Sequence, residues 1–161
     1  MKILCAVGLC LFCAACATVP PAAEQDICKH LYTYAASLPI GSTHTIRLGT
    51  KGAFPLDFQM NCHHDTDDEA DHAFCGWLIA NTSREFMAIN INDASSCLQQ
   101  QNIVGSTSGS DIERWSGTMV IDSPEAAPDT KIVFSYLQQP DFQKEDFIQF
   151  EVTRRPAKSQ R

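Results

Sequence analysis

The run Leu56-Asp57-Phe58-Gln59-Met60-Asn61-Cys62 alternates apolar and polar side chains, and two later runs, Cys75-Gly76-Trp77-Leu78-Ile79 and Met87-Ala88-Ile89-Asn90-Ile91, repeat the period. A period of two places every second residue on one face of a strand. If Cys62 lies opposite Cys75, then Met60 meets Trp77 and Phe58 meets Ile79. Three strands then share one apolar face in a meander, with a tight turn at Thr82-Ser83-Arg84. A slip of one residue would turn that whole set to solvent, so the register is strongly specified.

Working outward, Ile27, Leu31, Tyr34 and Leu38 fall at helical spacing behind the acids Glu24 and Asp26, and Pro39 and Gly41 stop the helix. His44, Ile46 and Leu48 then alternate against Thr45 and Arg47, as in a strand. On the C-terminal side, Asp93 caps a short helix carrying Cys97 and Leu98, and Gly105 to Ser110 reads as a flexible loop. Strand-like runs follow around 112–121, 131–137 and 147–153, before a basic tail over 156–161. The expected class is mainly β (α+β): an antiparallel sheet or sandwich of about seven strands with an N-terminal helix, formed by residues 24–155.

The chain opens on Met1-Lys2 and an uncharged apolar run from Ile3 to Ala15, too short for a bilayer span and suited to a signal peptide over 1–15. Cys13-Ala14-Ala15-Cys16 resembles the lipobox of bacterial lipoproteins, with Cys13 where leucine is usual. The resemblance covers only the leader. It implies an acylated Cys16, a Pro/Ala tether over 16–23, and, with Ala17 next, an outer-membrane lipoprotein facing the periplasm. Cleavage after Ala17 and release into the periplasm is the alternative.

Three cysteines leave with that leader, and Cys28, Cys62, Cys75 and Cys97 remain as an even set suited to two disulfides. Cys62–Cys75 would close the second hairpin, and Cys28–Cys97 would pin the first helix to the short second one. Cys28–Cys62 with Cys75–Cys97 is the competing pattern.

The 161 residues carry 19 acidic and 12 basic side chains, a net charge of −7, which becomes −8 once Lys2 is removed. That balance excludes a phosphate-tracking nucleic-acid binder. The stretch Cys62 to Cys75 holds His63, His64 and His72 with five carboxylates, a donor set known from metal sites. As an EF-type calcium loop it fails, because Ala70 replaces the glycine and Gly76 the bidentate glutamate. It reads as an exposed hairpin tip without a tight metal; a divalent-metal-binding envelope protein is the alternative.

Enzyme motifs are weak. Gly105-Ser106-Thr107-Ser108-Gly109 has threonine in the nucleophile place of a hydrolase elbow. Asp26-Ile27-Cys28 is loosely similar to the cysteine helix of peptidoglycan cysteine peptidases, but Lys29-His30 stand where that family has Ser-Gly. No catalytic residue and no cofactor is implied. The expected function is a protein-binding module, an inhibitor or immunity protein against a cationic cell-wall hydrolase or lysozyme; a small envelope enzyme is the alternative. Asp65, Asp67, Asp68, Asp71 and His72 of the acidic loop, and Ser108 of the Gly/Ser loop, are the candidate contacts.

Overall fold

The computed structural model describes residues 26–52, 56–99, 103–110 (backbone only), 115–141 and 143–156. The leader, Cys16, the tether and the tail beyond 156 lie outside them. Among the described residues three helices, α1 (Ile27–Ser37), α2 (Glu69–Asn81) and α3 (Met87–Leu98), accompany six strands. These are β1 (Thr43–Lys51), β2 (Gln59–His64), β3 (Ile103–Ser110), β4 (Trp115–Asp122), β5 (Thr130–Gln138) and β6 (Asp146–Arg154). The strands form one antiparallel sheet in the order β2-β1-β6-β5-β4-β3.

Alternation puts Ile46 and Leu48 of β1, Ile148, Phe150 and Val152 of β6, and Ile132 and Phe134 of β5 on one face, all buried. Register places Phe150 between Ile46 and Phe134, and the Phe134 and Phe150 rings stack at 5.2 Å. Leu31 and Ala35 of α1, Phe74 and Leu78 of α2, and Ile91, Ala94 and Leu98 of α3 cover this face. Each such Leu, Ile, Val or Phe side chain contributes about 1.5–3 kcal/mol by leaving water. The other face carries Arg47, which sits 3.7 Å over the Phe147 ring and pairs with Glu145. Gly49 makes that pair possible, because a Cβ there would collide with the Glu145 side chain.

Two ends of the molecule can be told apart. At the apical end α1 finishes and β1 begins: Arg154 of β6 donates to the carbonyls of Ala36 and Leu38, satisfying helix-terminal acceptors. At the basal end, the turn between α2 and α3 abuts Lys51 of β1, Gln138 of β5 and Asp146 of β6. Ile27, where α1 begins, shares a cleft with Thr82, Ser83 and Ile89 of the same corner.

The architecture is thus α+β with an antiparallel sheet, but the described residues form one six-stranded sheet covered by helices, not about seven strands or a sandwich. The largest correction falls on the runs 75–79 and 87–91, which are helical. In α2 the buried residues are Asp71, Phe74, Cys75 and Leu78, an i, i+3, i+4, i+7 set. Asp68 caps the helix by accepting from the Ala70 N–H at 2.9 Å, and Glu69 and Asp71 place negative charge in its first turn. Residues Thr82 to Phe86 join two helices, not two strands. Asp93 lies inside α3 instead of capping it, and Gly105 to Ser110 belongs to β3, paired with β4.

Both disulfides form in the preferred pairing. Cys28–Cys97 ties α1 to α3 with Cα atoms 6.1 Å apart, and Cys62–Cys75 ties β2 to α2 at 5.5 Å. The second closes no hairpin; it clamps the edge strand β2 under a helix. Chain-entropy arguments assign about 4 kcal/mol to the 69-residue separation and about 3 kcal/mol to the 13-residue one. Urea denaturation should therefore show Cys28→Ala/Cys97→Ala losing more stability than Cys62→Ala/Cys75→Ala. Equal losses, or the reverse order, would contradict a loop-length origin.

Candidate functional site

Four rings line up where α1 crosses α2. His30 stacks on Trp77 at 4.0 Å, nearly parallel, and Tyr34 stacks on Phe74 at 4.8 Å. Above them runs an open groove of about 490 Å³, walled by Thr33 and Ser37 of α1 and by Ala70 and Ala73 of α2. The alanines leave the space that larger side chains would fill. At its apical mouth stand Asp68 and Glu69, with Asp65 and Asp67 just before them in the chain. The arrangement is an apolar trough with an acidic lip, suited to an aliphatic stem ending in a cation.

The lip is held from beneath. Asp71 is fully buried, yet its carboxylate is surrounded by donors from three other segments. Tyr34 Oη of α1 donates to Oδ1 at 2.7 Å, His44 Nδ1 of β1 lies 3.0 and 3.1 Å from the two oxygens, and Thr66 Oγ1 donates to Oδ2. An ionised carboxylate only accepts, so the His44 proton sits on Nδ1. Burial alone would push the Asp71 carboxyl up. The hydrogen bonds from Thr66, Tyr34 and His44, with the charge of His44, outweigh it and hold the group below its ordinary value. Burial first, and then the bond to Asp71, pushes the Tyr34 phenol far above its usual range.

Thr66 is not placed as the nucleophile of a hydrolytic relay. In a relay, carboxylate and nucleophile occupy opposite nitrogens of the imidazole. Here Thr66 Oγ1 lies 3.3 Å from His44 Nδ1, the nitrogen already engaged by Asp71, and its hydroxyl is committed to the carboxylate. The geometry joins α1, α2, β1 and the loop before α2.

The expected contact residues divide accordingly. Asp65 is exposed and accepts from the Thr45 N–H at 2.9 Å, fastening the loop to β1. Asp67 is fully exposed and pairs with His72 Nε2 at 2.9 Å. Asp68 caps α2. Asp71 is corrected: it faces the core and cannot meet a partner. Ser108 lies in β3 opposite Gly117, and its side chain falls outside the described residues. The stretch 65–72 is not a hairpin tip but a short loop running into the first turn of α2.

The histidines separate. His63, opposite Arg47, projects from the strand face opposite to His64, while the His64 and His72 rings meet edge-on at 4.3 Å. Among the described residues, the one group of three ligand atoms close enough to share an ion is Asp26, Cys28 and Cys97. Its two sulfurs are joined to each other, leaving no thiolate to coordinate.

His30, Trp77, Ala70 and Ala73 were not legible as a site, and neither was the His44–Tyr34–Thr66 set. A polar residue at a helix's buried spacing, Asp71 before Phe74, Cys75 and Leu78, and a histidine on the apolar face of β1 were the available signals. No family model matches this chain, and no curated protein or solved structure does.

Replacing Asp71 with alanine strands three buried donors and should cost about 3–5 kcal/mol of unfolding free energy in urea titrations. The pH dependence has a fixed sign. Because the folded state holds the Asp71 proton less tightly than the unfolded chain, its contribution is complete above the ordinary carboxylate value of about 3.9 and drains away as pH falls below it. The stability gap between wild type and Asp71→Asn should shrink as pH falls below about pH 4. A gap independent of pH down to the acid transition would show that the carboxylate is not the group concerned.

Proposed function

We propose that this chain is an envelope lipoprotein, acylated at Cys16, that binds a cationic protein through the α1–α2 groove and its acidic lip. Its role is that of an inhibitor or immunity protein against a cationic cell-wall hydrolase, with no chemistry of its own. The observation that supports this most is the fastening of the lip. Asp67 and Glu69 are exposed charges on a segment that Asp65, Asp68 and Asp71 tie to β1, α2 and α1. A preordered acidic edge loses little entropy on binding, unlike a mobile tip. The net charge of −8 on the mature chain adds long-range attraction, and the groove adds an apolar slot for the stem of a partner lysine or arginine. Among the described residues, no helix is long and apolar enough to cross a membrane.

The test is retention and inhibition. Envelope extract passed over the immobilised protein at low salt should yield a basic peptidoglycan hydrolase, identified by mass spectrometry and inhibited in a lysis assay. Asp67→Asn with Glu69→Gln should slow association and flatten its dependence on salt, since exposed charges are screened over about 8 Å at physiological ionic strength. Ala73→Arg, which fills the groove with a positive side chain, should weaken binding about tenfold or more, equivalent to about 1.4 kcal/mol. Hydrolysis of peptidoglycan by the protein itself, or no hydrolase retained at low salt, would refute the proposal.

A further inference from the structure

The exposed large apolar side chains are not scattered. Of the five among the described residues, Leu56, Phe86, Ile89 and Ile79 belong to the β1–β2 connection, the start of α3 and the last turns of α2, at or beside the basal end. Ile40 alone sits at the apical end. Phe86, the N-cap residue of α3, is 58% exposed, and Ile89 is 47% exposed.

The chain reaches α1 at this same end, since Ile27 shares its cleft with Ile89. Residues 16–25, ten in number, span no more than about 35 Å even if fully extended. The nine residues of β1 alone cover about 30 Å from basal to apical end. An anchor at Cys16 therefore brings the basal end to the bilayer easily. It could bring the apical end there only if the tether ran nearly taut along the whole molecule.

From these observations we infer that the basal corner, through Phe86 and Ile89, rests in the headgroup region of the membrane that holds the lipid anchor. The inference rests on acylation at Cys16 as proposed above. The occupant is a lipid surface, and apolar insertion carries the contact. Charge does not, because Lys51, Arg84 and Lys144 at this end are mixed with Glu85 and Asp146. The acidic lip, at the opposite end, then points away from the bilayer toward whatever approaches from the periplasm.

The mature protein as extracted from cell membranes, reconstituted into phosphatidylethanolamine–phosphatidylglycerol vesicles with brominated acyl chains, provides the test. Tryptophan is introduced singly as Phe86→Trp, Ile89→Trp or Ile40→Trp, all at exposed sites where folding is undisturbed. Insertion of about 5–10 Å should quench the added emission at positions 86 and 89 about twofold and leave position 40 unchanged. Emission at 86 and 89 that is unquenched, or quenched no more than at 40, overturns the inference. Flotation separates the two failures. Protein that floats with the vesicles without quenching retains its anchor and loses the orientation; protein that does not float refutes the acylation and the inference together.

Discussion

One carboxylate organises the molecule. Asp71 gathers hydrogen bonds from a phenol on α1, an imidazole on β1 and a hydroxyl on the loop before its own helix. Removing such a group from water is costly, and only a full set of donors makes it stable. Satisfying it therefore sets the packing of α1 on α2, the height of both above β1, and the path of the acidic loop. The stacked pairs His30–Trp77 and Tyr34–Phe74 follow from that crossing, and so does the groove above them.

Much of this was legible in the residues, but unevenly. The strands β1, β5 and β6 and the helix α1 show because each buries one face and wets the other, as in Ile148, Phe150 and Val152 against Gln149 and Glu151. The helix α2 did not show. Half-buried Trp77 and exposed Ile79 lie outside its buried stripe, so apolar residues occur at both periods, and the buried Asp71 interrupts the helical one. The cap Asp68 and the first-turn acids Glu69 and Asp71 were the better guide. The helix α3 shows a similar conflict, with half-exposed Ile89 completing an apparent strand face while Met87, Ile91, Ala94 and Leu98 mark the helical one. The disulfides were paired correctly on a mistaken register, because either a hairpin or a helix lying over β2 brings Cys62 near Cys75. The groove needs the relative placement of two helices, which no local pattern contains.

Seen from basal to apical end, the molecule has a polarity. Exposed apolar side chains gather beside the start of α1, and negative charge gathers at the mouth of the α1–α2 groove. The two disulfides fix the helices that connect these ends, one at the start of α1 and one midway along α2. A surface built this way can present charge at a constant height and angle, which favours rapid productive encounters over tight nonspecific ones.

The disulfides are nested, with Cys62–Cys75 enclosed between Cys28 and Cys97. A chain threaded N-terminus first into an oxidising compartment exposes Cys28, then Cys62, then Cys75, and Cys97 last. An oxidase that joins cysteines in order of emergence would link Cys28 to Cys62 and leave Cys75 to wait for Cys97. Reaching the native pattern then requires thiol–disulfide exchange by attack of a free thiolate. If the chain is exported as proposed, its nested pattern calls for an isomerising partner as well as an oxidising one, and a cell lacking the first should accumulate the Cys28–Cys62, Cys75–Cys97 form.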